Sequence, residues 1–316
     1  MQRPDLEKLI SDRNLFFAAA GLVHSGADAY DHKDAEISAL AKQIRKLDIA
    51  DYIQDWFSRA RTGQVAVNPY WPRGSAIATA CFFVENGRFD MAACFAFFDS
   101  TGAMVDPIGA DDFRMWIAGL PKVFTYFETL PAVQPLWEEY CRIVTSRMPA
   151  WKLMIDQSIK TMAEFFGENA PEMAFAPNLF ADYNTDFVHT GNKIITIASE
   201  PDVESMLHEV MHTVVAVYRD KITAFACENG LSYFADREKM MELGYMVDDS
   251  AESIAHVIEE CIVRAVSVVL ANKDDKRLQS HANYGCDGVP YIAGQFKRMR
   301  PNIEEFERFI DAILQS

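Results

Sequence analysis

The chain has 316 residues, half of them apolar and 24% charged, with 46 acidic against 30 basic side chains and a net charge of −16. That balance excludes a nucleic-acid binder, which needs a basic face to displace counterions from phosphates. No stretch reaches the roughly eighteen apolar residues of a membrane span, and the length suits one large domain or two ordinary ones, each with a real core.

At the amino terminus Asp5, Glu7 and Asp12 precede any long apolar run, unlike a secretory signal. The six cysteines (Cys81, Cys94, Cys141, Cys227, Cys261 and Cys286) are scattered, mostly among apolar neighbours, with no CxxC pair. Both features fit reduced, buried thiols in a cytoplasmic protein. From Ala35, "AEISALAKQIRKLDIADYIQDWFSRA" repeats apolar positions at three- and four-residue steps, and residues 113–130 do likewise, so both segments are predicted helical. The run "AIATACFFV", residues 76–84, reads as a buried element. Trp56, Trp71, Trp116, Trp137 and Trp151 read as core and not as an aromatic platform. A long helical pattern spans residues 136–166, with Pro149 as its one point of interruption.

Strand character is confined to "EMAFAPNLFADYN" and "FVHTGNKIITIAS", where β-branched and aromatic residues alternate with turn formers. "KIITIAS" leads directly into a helix start. Ser199 is a candidate cap, with Glu200, Pro201 and Asp202 in the first turn, and the helix should continue to about residue 219. No linker separates domains. A soft division near Pro131 marks off a helical part, 1–130, from 131–316, which holds the chemistry; the first part is expected to pack on the second.

That chemistry sits in "MLHEVMHTVV", residues 206–215. His208 and His212 are four residues apart, hence one turn apart on one helical face, where both imidazoles can reach a single ion at about 2.0–2.1 Å. Glu209 can face the same cavity as the general base for a zinc-activated water. The pattern is HExxH. A catalytic zinc takes three protein ligands and keeps one position for water. The extended HExxHxxGxxH form is absent, because Val215 and Tyr218 stand where its glycine and third histidine would be. The third ligand must therefore come from further along. "ESIAHVIEECIVRAVSVVL", residues 252–270, reads as a strong amphipathic helix on which Glu259 and Glu260 flank the apolar stripe on opposite sides. Amphipathicity does not choose between them. Arg264, one turn beyond Glu260, could hold that carboxylate in place and so favours Glu260, with Glu259 as the alternative.

HEVMH followed some fifty residues later by a glutamate-bearing helix is similar to the gluzincin metallopeptidases. More narrowly, "HEVMHTVV" with "EECIVRAV" resembles an uncharacterised bacterial family of metallopeptidase-like proteins in which a glutamate shortly before "VRA" is the third ligand. The resemblance covers residues 199–270 and lacks the NExxSD and NEGFA wording of better-known gluzincins. It implies a mainly α (α+β), zincin-like fold, with a helical body and a small β-sheet beside the HExxH helix. It also implies one Zn2+ per chain on His208, His212 and Glu260, with Glu209 as base. The expected function is a zinc-dependent hydrolase, a peptidase acting on peptide or protein substrates. A non-catalytic zincin-fold binding module and a metal-free helical interaction protein are the competing classes.

Gluzincins commonly add a tyrosine or histidine that donates to the oxyanion. "HANYGCDGVPYIAG" supplies His281, Tyr284 and Tyr291, of which Tyr291, next to Pro290 at a helix start, is preferred. His256, one turn before Glu260, is a candidate to support that ligand, although the solvent side of the helix is the commoner place for it. In zincins an edge strand lines the cleft, so "KIITIAS" is expected to accept an extended peptide by backbone pairing.

Overall fold

In the computed structural model, which describes residues 9–10, 12–26, 34–62, 73–85, 87–100, 107–181, 185–190 and 192–315, the chain is mainly helical with a small sheet. Two compact units form, Met1–Leu153 with Met173–Pro201, and Met154–Glu172 with Asp202–Ser316.

The first unit contains α1 (Arg13–Ser25), α2 (Ala35–Ile44), α3 (Asp51–Thr62) and α4 (Arg73–Ala80). A short hairpin, β1 (Val84–Glu85) and β2 (Arg88–Phe89), leads to α5 (Met91–Ser100), α6 (Pro107–Ile117) and α7 (Leu120–Thr129). It also takes most of α8 (Val133–Phe166), and then β3 (Glu172–Pro177), β4 (Asp186–Thr190) and β5 (Lys193–Ala198).

Helix α1 is buried without a break from Leu15 to Val23, as expected of a helix apolar on all sides. Its N-terminus is closed by Asp12, which accepts from the Leu15 amide at 2.8 Å. Phe16 packs on Trp137 and Tyr140, with ring centroids 5.3 and 5.1 Å away, and Phe17 stacks on Phe127. Where α3 crosses α1, a Cβ on Gly21 would lie 2.0 Å from the Phe57 ring, so only glycine permits this approach. Trp56 and Trp116 exchange hydrogen bonds, each indole N–H donating to the other's carbonyl at 3.0 and 2.9 Å.

Two continuous helical patterns are broken by tertiary contacts. Between α2 and α3 the Leu47 carbonyl bonds the His24 ring, and the Ala50 amide donates to the Tyr126 hydroxyl at 2.7 Å. At the end of α6 the Trp116 carbonyl accepts from the Trp56 indole, and Pro121 lies in the first turn of the next helix. Pro149, by contrast, lies inside α8, which runs through it. Trp116 and Trp151 are core and Trp56 and Trp137 half-buried; Trp71 lies outside the described residues.

The sheet has the order β3-β5-β4, and β4 and β5 pair antiparallel with Phe187 opposite Thr196. Val188, Ile195 and Ile197 pack with Leu15 of α1 and Ala78 of α4. Phe187 and His189 meet Phe97 of α5 at 5.8 and 5.9 Å. The strand order corrects one expectation. "KIITIAS" is the middle strand, paired on both sides, so its backbone has no open edge for an added peptide.

The second unit holds the end of α8 and then α9 (Val203–Val215), α10 (Arg219–Asn229), α11 (Arg237–Glu242), α12 (Ala251–Leu270), α13 (Asp275–Asn283), α14 (Val289–Met299) and α15 (Phe306–Leu314). Helix α12 is its axis, buried over most of its length and packed against α9, α10 and α14. Phe165, Phe296, Phe306 and Phe309 form an aromatic cluster at its margin. The cap of α9 is Asp202, accepting from the Ser205 amide at 3.0 Å, and not Ser199. Pro201 and Ser199 remain in the connection, and Lys273 secures the other Asp202 oxygen. Among the described residues no helix is long and apolar enough to cross a membrane.

Candidate metal centre

Helix α9 presents His208 and His212 on consecutive turns, and α12 crosses it so that its two adjacent glutamates face them. The Nε2 atoms of the histidines stand 3.1 Å apart. Glu260 Oε2 is 3.4 Å from His212 Nε2, and its Oε1 is 3.7 Å from His208 Nε2. These three side chains offer ligand atoms that all lie within 4.8 Å of one another, the one such group of three or more among the described residues. Donors at about 2.0–2.1 Å from one tetrahedral ion lie about 3.3–3.4 Å from each other. The 3.1 Å between the histidines and the 3.4 Å from His212 to Glu260 Oε2 are close to that spacing, and the 3.7 Å from His208 is made by the other carboxylate oxygen, Oε1. Both histidine side chains keep 21% exposure while Glu260 keeps 8%, so solvent reaches the cluster beside the imidazoles.

Glu259 approaches the same His212 from the other side. Its Oε1 is 3.7 Å from Nδ1, while Arg219 donates to its Oε2 from NH2 at 3.0 Å and from Nε at 3.3 Å. A carboxylate on the Nδ1 side favours the tautomer that leaves Nε2 with its lone pair for an ion. The neighbouring glutamates thus take separate parts, Glu260 among the ligand atoms and Glu259 behind one of them.

Glu260 is held in turn. Arg264 Nε donates to its Oε1 at 2.6 Å, the i,i+4 contact that the sequence spacing anticipated. Arg264 NH2 donates to the Tyr245 hydroxyl at 2.8 Å, and NH1 lies 3.1 Å from His281 Nδ1. His281 Nε2 lies 3.1 Å from Glu204 Oε1, and Arg277 also donates to Glu204. Glu204 is on α9, one turn before His208.

The electrostatics follow from this crowding. Burial pushes the His208 pKa well down, against the pull of Glu260. For His212 burial acts the same way, but Glu259, Glu260 and Glu209 outweigh it and the pKa is raised. Burial also opposes ionisation of Glu260, yet Arg264 and the histidines hold its carboxyl far below the usual range. Glu209 is buried on α9, close enough for its charge to act on His212. His256 is partly buried on α12; burial lowers its pKa, and the charges of Glu260 and Glu259 act against that.

The candidates from the 281–294 segment separate. His281 is buried in the network behind Glu260. Tyr284 is exposed at the end of α13. Tyr291 is 41% exposed on the first turn of α14, its ring edge-on to Tyr233 at 5.1 Å. The tyrosine joined to Glu260 through Arg264 is Tyr245, which sequence reasoning did not single out. Glu204 and Arg219 were missed as well. The i,i+4 spacing of Glu204 and His208 was a readable signal; Arg219, forty residues from Glu259, carried none.

Comparison of the chain with protein-family models, with curated proteins and with solved structures gave no match.

Proposed function

We propose that the chain is a single-zinc hydrolase of the gluzincin type that cleaves peptide bonds in a peptide or protein substrate. The observation that carries this reading is the convergence of His208 Nε2, His212 Nε2 and the Glu260 carboxylate, with the nitrogens 3.1 Å apart, Oε2 3.4 Å from His212 and Oε1 3.7 Å from His208. Two imidazoles and one carboxylate form a donor set suited to zinc, one ion per chain, and three protein ligands leave the fourth coordination position to a water or substrate oxygen. A zinc ion held there would polarise a carbonyl and lower the pKa of water towards about 7.

The protein's own groups do the rest. His208 and His212 contribute neutral nitrogens, and Glu259 keeps the Nδ1 proton of His212 in place. Glu209 takes the proton of the attacking water onto its carboxylate and returns it to the departing amine nitrogen. Tyr291 is the sequence candidate for the hydrogen bond to the oxyanion, and on that reading Tyr291→Phe should lower turnover at unchanged zinc content. The six cysteines are free thiols, in keeping with action in the reducing cytoplasm.

The test is zinc per chain after purification without added metal, followed by a peptide-library screen of the loaded protein. One zinc in the wild type and zinc-dependent cleavage support the assignment. A wild type that takes up no zinc, even on reconstitution, ends it.

A further inference from the structure

Every nitrogen of the Arg264 guanidinium is used: Nε on Glu260 Oε1 at 2.6 Å, NH2 on the Tyr245 hydroxyl at 2.8 Å, NH1 towards His281 Nδ1 at 3.1 Å. The Tyr245 ring also lies 5.1 Å from its central carbon. Because NH1 can only donate, His281 Nδ1 accepts and the ring carries its proton on Nε2, which points at Glu204 Oε1. The chain of contacts Glu260–Arg264–His281–Glu204 begins on α12, passes through α13 and ends on α9 one turn from His208. Its members are nearly dry, with side-chain exposures of 8% for Glu260, 14% for Arg264, 8% for His281 and 7% for Glu204.

We infer that Arg264 is a positioning residue that keeps Glu260 a one-oxygen ligand, and that His281, Glu204 and Tyr245 hold Arg264 so that the ligands on α9 and α12 are in place before an ion arrives. This rests on the zinc reading above. With Oε1 committed to Arg264, Oε2, the oxygen 3.4 Å from His212 Nε2, is the one left to an ion. A planar fork with donors on three separate nitrogens spans these partners, whereas the three donors of a lysine radiate from one nitrogen and cannot reach partners set around a guanidinium plane.

The experiment uses the full chain. Zinc affinity is measured by competition with a chromophoric chelator, and the visible absorption of the cobalt-substituted protein reports coordination number, its intensity falling as that number rises. For Arg264→Lys the expected result is zinc binding weaker by about 10–100-fold, together with a weaker cobalt band as Glu260 engages both oxygens. Glu204→Gln and Tyr245→Phe should shift both readouts in the same direction by less, and they decide the matter if Arg264→Lys does not fold. Wild-type affinity and an unchanged cobalt spectrum in the folded variants would overturn the assignment and leave the zinc site standing. A wild type that binds neither zinc nor cobalt overturns the zinc reading and this inference with it.

Discussion

Glu259 and Glu260 are adjacent, both buried, and both within 4 Å of His212, yet their replacement should have unequal effects. Consider Glu260→Gln and Glu259→Gln, which keep side-chain size. Four-ligand structural zinc sites in peptides are worth about 10–16 kcal/mol, hence about 2.5–4 kcal/mol per ligand. Loss of Glu260 should therefore weaken zinc binding by about 10²–10³-fold. Glu259 stands behind the histidine, where loss of a supporting partner costs about 10–100-fold, or 1.4–2.7 kcal/mol. The metal-free proteins should differ in the same order. Glu260 is nine-tenths buried against an Arg264 that is itself 14% exposed, whereas the Arg219 partner of Glu259 is 39% exposed and solvates more easily. Breaking a buried pair costs on the order of 3–5 kcal/mol, less here because glutamine keeps a hydrogen-bonding oxygen. Chelator competition at one pH and ionic strength gives the affinities, and urea unfolding with EDTA present gives the stabilities. If Glu259→Gln binds zinc more weakly than Glu260→Gln, the two roles are reversed. If neither differs from the wild type, the cluster is not where zinc binds.

Glu209→Gln should keep one zinc per chain and lose turnover by about 10²–10⁴-fold; atomic absorption beside a peptide-cleavage assay checks both, and lost zinc would make Glu209 a structural prop. Glu204 is buried, yet His281 and Arg277 lower its pKa. Its contribution to stability is accordingly full above the unfolded carboxyl value of about 4.3 and is lost as pH falls through the lower folded value. Urea midpoints measured downward from pH 6 should fall more steeply in the wild type than in Glu204→Gln, and parallel curves would contradict this. Gly21→Ala puts a methyl 2.0 Å from the Phe57 ring and should destabilise the first unit by about 1–3 kcal/mol in thermal unfolding; a neutral result would mean that α1 and α3 separate at little cost.

What the sequence disclosed is what periodicity and spacing encode. The HExxH helix, the α12 stripe and the Glu260–Arg264 pair depend on residues four apart, and all three form. The two parts of the glutamate pair were not legible, because residues 259 and 260 flank one stripe about equally and only the crossing of α9 over α12 brings both to His212. Local chemistry also misplaced the start of α9, since Ser199 and Asp202 are both good caps and the chain uses the later one. The breaks after Ile44 and Ile117 lay beyond reach because distant groups, Tyr126 and Trp56, take the backbone there. "KIITIAS" was visible as a strand, but pairing order is a property of the whole sheet.

The described tryptophans, Trp56, Trp116, Trp137 and Trp151, all belong to the unit Met1–Leu153 with Met173–Pro201, and the unit that carries His208, His212 and Glu260 has no tryptophan in its sequence. Nature has thereby labelled one half of the molecule with a fluorophore. Indole emission reports the melting of the first unit, while ellipticity at 222 nm, which includes α9 to α15, follows both. Zinc titrated during heating should move the ellipticity curve upward by mass action, and emission moves with it only if the two units melt as one. Comparing the two traces measures how strongly the units are coupled, with no label attached and no residue changed.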